Sequence, residues 1–210
     1  MLKPISMTYF VDFISQSGPP KLTIVKNVRK QEHEPYDIRV DFWKILREGI
    51  IKFHKSGGAE KSILDEVVSR TADPERKRSY QGMIKSYKKF LGKKEVSWFE
   101  PPKCEWKYGD LSVRVNPELG LIIDGQKHVI KMNFKSEDKV KLSKQRVSIL
   151  QLLMSNAIGD QEYFYSILDV PKSPKSKLYS IQNQDIEKGS VSLLHGEATS
   201  FMTMYKSLGE

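Results

Sequence analysis

The 210-residue chain has a single cysteine, Cys104. One cysteine cannot close an intrachain disulfide, and there is no cysteine cluster to hold zinc. The four histidines, His33, His54, His128 and His195, are scattered without metal-binding spacing. No apolar run approaches the roughly 18 residues that cross a bilayer. The opening stretch, MLKPISMTYFVDFISQSGPP, has a short apolar piece, but Asp12 interrupts it and no small-residue cleavage site follows. It is expected to be folded protein, in a chain that works in the cytoplasm away from membranes. Neither glycine-rich phosphate-loop pattern occurs, and Ser192–His195 lacks the glycines of a nucleophile elbow. Cys104, among Pro101, Pro102 and Trp106, reads as a small packed residue, and His195 as a polar or half-buried residue of the last helix.

What the chain has is positive charge. Thirty-five Lys and Arg face 26 Asp and Glu, a formal net charge of +9. A polyanion is the natural partner for such a surface. At 39% hydrophobic the chain can bury a core, so disorder does not explain the charge.

The first half has helical periodicity. Residues 37–54 place Val40, Trp43, Leu46, Ile50 and Phe53 near helical spacing, and Gly57-Gly58 ends the run. A second helix is expected over 59–70. A third starts at Asp73-Pro74, a good N-cap followed by proline at the first helical position, and runs to Leu91. It carries Arg76, Lys77, Arg78, Lys85, Lys88 and Lys89, candidates for phosphate contact. Tyr80, Ile84, Tyr87 and Leu91 have the spacing of a buried stripe, which leaves the lysines in solvent.

After a proline-rich connection the period drops to two. Leu111–Val115, Leu119–Ile123 and 126–135 alternate as strands, and Asp124-Gly125 is a strong two-residue hairpin signal. The three are expected to form one antiparallel meander. A helix over 143–157, a strand over 163–170, a basic loop with Lys172, Lys175 and Lys177, a short strand and a final helix over 185–208 follow. The fold class is therefore α/β or α+β. A helical region, 1–74, packs on a core, 75–210, that holds a small mixed sheet, a covering helix and one or two further strands.

On the third strand Ile130, Met132 and Phe134 share one face, and Lys131, Asn133 and Lys135 share the other with Val129. Pro117-Glu118, a hairpin, and then Asn133-Phe134-Lys135 resemble the signature of the PD-(D/E)XK nuclease superfamily, over about residues 80–179. The helix–meander–helix–strand order matches too, and the covering helix has Gln145 and Gln151, where some exonuclease-like members carry a glutamine. The resemblance implies a restriction-endonuclease-like core. Glu118 and Asn133 would hold magnesium or manganese, Lys135 would act on water or phosphate, and Lys131 would contact nucleic acid, DNA ahead of RNA. Asn133 departs from the family pattern, because an amide brings no negative charge to a divalent ion. A carboxylate from elsewhere, with Glu48, Glu100 and Asp124 as candidates, would have to complete the site; otherwise binding remains without hydrolysis. Three functions compete: a nuclease-like binder with weak or no activity, an active magnesium- or manganese-dependent nuclease, and a protein-interaction domain. The oligomeric state is left open.

Overall fold

A computed structural model describes residues 2–33, 41–134, 142–173, 175–187 and 189–208. The helices are α1 (Met7–Ile14), α2 (Pro19–His33), α3 (Lys44–Lys55), α4 (Ser62–Ser69), α5 (Pro74–Leu91), α6 (Lys144–Ile158) and α7 (Ser190–Ser207). The strands are β1 (Ile5–Ser6), β2 (Val96–Phe99), β3 (Cys104–Tyr108), β4 (Leu111–Val115), β5 (Leu119–Ile123), β6 (Gln126–Phe134), β7 (Phe164–Val170) and β8 (Lys177–Gln182).

Local chemistry sets the helix ends. Ser6, Asp73 and Ser143 each accept a hydrogen bond from a backbone N–H in the first turn of α1, α5 and α6. Such caps satisfy donors that have no partner within the helix. Gly159, at φ 76°, ends α6 in the left-handed conformation that glycine takes without steric cost. Asp124 and Gly125 both have positive φ, at 50° and 85°, and close the β5–β6 hairpin as their sequence predicts.

The strands form two mixed sheets. The larger has the order β2-β5-β6-β7-β8. β2, β5 and β6 are antiparallel, β6 and β7 are parallel, and β8 returns antiparallel to β7. The parallel step needs a crossover, and α6 lies within it. The smaller sheet has the order β1-β4-β3.

The three-strand antiparallel unit exists, but one expected member is corrected. Leu111–Val115 does not pair with Leu119–Ile123; it lies between β1 and β3 in the smaller sheet. Its place beside β5 is taken by β2, from the stretch read as a connection. The cause lies in burial. Leu111, Val113 and Val115 are buried with Trp106 and the faces of α1, α6 and α7. Gly120 admits the β2 backbone at its side, where a Cβ would stand 2.4 Å from the Phe99 carbonyl oxygen.

Two apolar cores lie on either side of the larger sheet. α3, α4 and α5 cover the face of Leu119, Leu121, Ile130, Met132 and Leu168. Tyr165 and Ile167, on the opposite face, join α1, α2, α6 and α7 and the smaller sheet. Tyr80, Ile84, Tyr87 and Leu91 are buried, as their spacing predicts. α3 begins at Lys44; the expected start at residue 37 lies outside the described residues. α1 and α2 lie within the region expected to be helical, where no individual helix is expected before residue 37. Among the described residues, no helix is long and apolar enough to cross a membrane.

Candidate functional site

Strand alternation places Glu118, Lys131 and Asn133 on the face of the larger sheet opposite α5. Pro117 ends the passage from the smaller sheet, and Glu118 follows at the start of β5. Its N–H donates to the Ile130 carbonyl at 2.9 Å, which fixes its position on the hairpin. With Leu119 opposite Ile130, the next residue back, Glu118, faces Lys131. The Lys131 ammonium is ion-paired to one Glu118 oxygen, and the Met132 N–H donates to the other at 2.8 Å. The two side chains are only 12% and 18% exposed, so water screens this pair much less than a surface one.

Asn133 lies further along the strand. Its amide donates to Asp169 Oδ1 at 2.7 Å, across the parallel pairing of β6 with β7. Asp169 is an acid that strand patterning could not bring to Asn133, because the register between two parallel strands is not written in either one. The cation beside the acid is thus Lys131; Lys135 lies outside the described residues.

Glu118 and Lys131 line a cleft with two chambers of about 560 and 240 Å³ that also share Thr8 and Arg47. α3 and its N-cap residue supply one wall through Trp43, Arg47, Ile51 and Lys55, spaced four residues apart. Arg114 and Lys103 border the larger chamber, and Arg146 of α6 the smaller. Six cationic side chains therefore line a cleft that has two carboxylates, Glu100 and Glu118. Asp41 and Asp12 offset part of this charge by pairing with Arg47 and Arg146. Lys55 binds Glu100 at 2.9 Å, and this hydrogen bond holds the Glu100 carboxyl below the usual carboxylate range.

Other candidates lie elsewhere. Glu48 is off the α3 stripe, 59% exposed, and pairs with Lys44. Asp124 serves its turn and accepts from the Glu95 N–H. Lys77, Arg78, Lys85 and Lys89 are exposed on α5, against the other face of the sheet. Arg76 stacks over Phe42, and Lys88 binds Asp65 at 2.6 Å. None of these residues lines the cleft. Gln145 is exposed, while Gln151 is buried and donates to the Tyr165 and Tyr179 carbonyls, a structural role. Cys104 is half-buried, and burial pushes its thiol pKa up, away from nucleophilic use. His195 is half-buried and stacked on Tyr108, with ring centroids 4.0 Å apart.

A magnesium or manganese ion prefers an oxygen shell with one or two carboxylates. The donor set does not fit one. Both Glu118 oxygens are engaged, the group against them is an ammonium, and Asn133 is committed to Asp169. Among the described residues, no group of three or more His, Cys, Asp or Glu could hold a metal.

No protein-family model matches the chain, and no curated protein matches it in sequence. In structure it is similar to an alkaline exonuclease from Laribacter hongkongensis, with a TM-score of 0.50 and 8% identity over 98% of this chain and 89% of that one. At that identity the likeness is one of fold: a mixed α/β fold of the restriction-endonuclease-like kind.

Proposed function

We propose that the protein is a nuclease-fold nucleic-acid binder whose Glu118 site is held by an internal cation and has little or no hydrolytic activity. The observation that carries this reading is the Lys131–Glu118 ion pair inside a cleft with mainly cationic walls. An ammonium against the carboxylate supplies the charge balance that a divalent ion would supply, but it offers no open position for water. The cationic side chains around it remain suited to phosphates. DNA ranks ahead of RNA as the partner, following the sequence resemblance. The α5 cations form a second basic surface on the far side of the sheet, available to the same polyanion.

Arg114 gives the sharpest test, because it is exposed and makes no ion pair among the described residues. Arg114→Ala is expected to weaken binding and to reduce the slope of log affinity against log salt by about one unit. A titration by fluorescence anisotropy across a salt series measures both. An unchanged slope in Arg114→Ala, with a reduced slope in Lys85→Ala, would move the binding surface from the cleft to α5. No binding to any nucleic acid at low salt would favour a protein-interaction role.

A further inference from the structure

The larger chamber has an aromatic wall as well as cations. Trp98 lies on β2, the edge strand of the larger sheet, and is only partly buried although it packs on the core beneath it. The Lys55 ammonium lies over its ring, 5.3 Å from the centroid, and is paired with Glu100, so a base stacking on Trp98 takes the place of that ammonium. Ile51 and Pro101 add apolar surface beside it, and Arg114 adds a guanidinium to the same chamber. A π face within a cationic groove is the combination that holds unpaired bases, since stacking is tolerant of sequence and the cations follow the backbone. In a duplex the base faces are already stacked on one another and only edges and phosphates are presented.

We infer that the larger chamber takes a single-stranded stretch of nucleic acid, with one base stacked on Trp98 and the adjoining phosphates against Arg114 and Lys103. The inference rests on the reading of the cleft as a nucleic-acid site and adds the strandedness of the ligand. Trp43, stacked with Phe134 at 5.8 Å between centroids, borders the smaller chamber, so an aromatic stands in each.

The test uses the full chain with labelled oligothymidylate and with a blunt duplex hairpin of the same phosphate count. Wild type is expected to bind oligothymidylate more tightly than the duplex. Trp98→Leu, which keeps apolar volume and loses the π face, is expected to weaken oligothymidylate binding about tenfold and to leave duplex binding unchanged. Trp98→Phe should stay within a few-fold of wild type, and near-equal thermal melts of the two variants would show that folding is intact. Equal affinity for single strand and duplex, or Trp98→Leu binding like wild type, would overturn the inference while leaving nucleic-acid binding in place. Loss of all binding in Arg114→Ala with Trp98→Leu unaffected would do the same. Absence of binding by wild type to either probe would instead defeat the functional reading beneath it. An oligouridylate arm, read in the same way, distinguishes RNA from DNA as the strand preferred.

Discussion

Acidification from pH 7 to pH 4 is expected to remove about 3 kcal/mol of folding stability through one residue, His54. His54 is 2% exposed on α3, packed beside Phe53, with Nε2 in a hydrogen bond to the buried Tyr87 hydroxyl. Burial disfavours its charged form and lowers its pKa from 6.5 to about 4. Above pH 6.5 the imidazole is neutral whether the chain is folded or not, so its contribution is complete. Between pH 6.5 and about 4 the unfolded chain takes up a proton that the folded chain refuses, and stability falls with pH. Below about 4 both forms are protonated and the loss stops. Urea melts of wild type and His54→Gln at several pH values isolate this from the carboxylates, which titrate in both proteins. The wild-type curve should fall more steeply over this window. Parallel curves would contradict the assignment.

Lys131→Ala is expected to cost about 2 kcal/mol, well beyond the near-zero cost of losing an exposed pair such as Lys206–Asp110. Its removal leaves a carboxylate shielded from water with only the Met132 N–H on one oxygen. A cation then stabilises the folded state, so magnesium or manganese should raise the melting temperature of Lys131→Ala and leave wild type almost unchanged. Asn133→Asp carries this further. It sets a second carboxylate beside Asp169, where the amide now donates, and like charges so close repel unless a cation bridges them. That variant should be less stable than wild type in chelator and bind magnesium or manganese more tightly, and together with Lys131→Ala the effect should be larger. A wild-type melt that responds to magnesium as strongly as the variants' would show that Lys131 does not fill the site.

The parts of this fold set by neighbours in sequence could be read from it. Asp73-Pro74 started α5, Ser143 started α6, and Asp124-Gly125 joined β5 to β6, because caps and two-residue turns depend on a few adjacent groups. Long-range pairing could not be read. Val96–Phe99 looked like part of a connection because Pro101-Pro102 follows at once, and only the Gly120 side of β5 explains why it is a strand. Leu111–Val115 alternates like its successors, yet alternation does not say which sheet a strand joins. The site shows the same division. Glu118 and Lys131 lie on one face because hairpin register follows from a short turn. Asp169 reaches Asn133 only through a parallel strand beyond α6. The cleft wall was not read from the sequence, although Trp43, Arg47, Ile51 and Lys55 recur every four residues along and just beyond the helix expected over 37–54. That stripe also shows why Glu48, one position past Arg47, points away to solvent. The α5 cations are legible because they are close in sequence, whereas those of the cleft come from α3, the β2–β3 connection, β4, β6 and α6.

The most direct test is an equilibrium binding titration of wild type with a labelled oligonucleotide, in chelator and in magnesium at matched ionic strength. If Lys131 holds the Glu118 site, affinity in chelator should equal or slightly exceed affinity in magnesium, since divalent ions only compete for phosphates, and the oligonucleotide should be recovered intact from both. Binding that appears only with magnesium, or an oligonucleotide cleaved in magnesium and whole in chelator, would contradict the account.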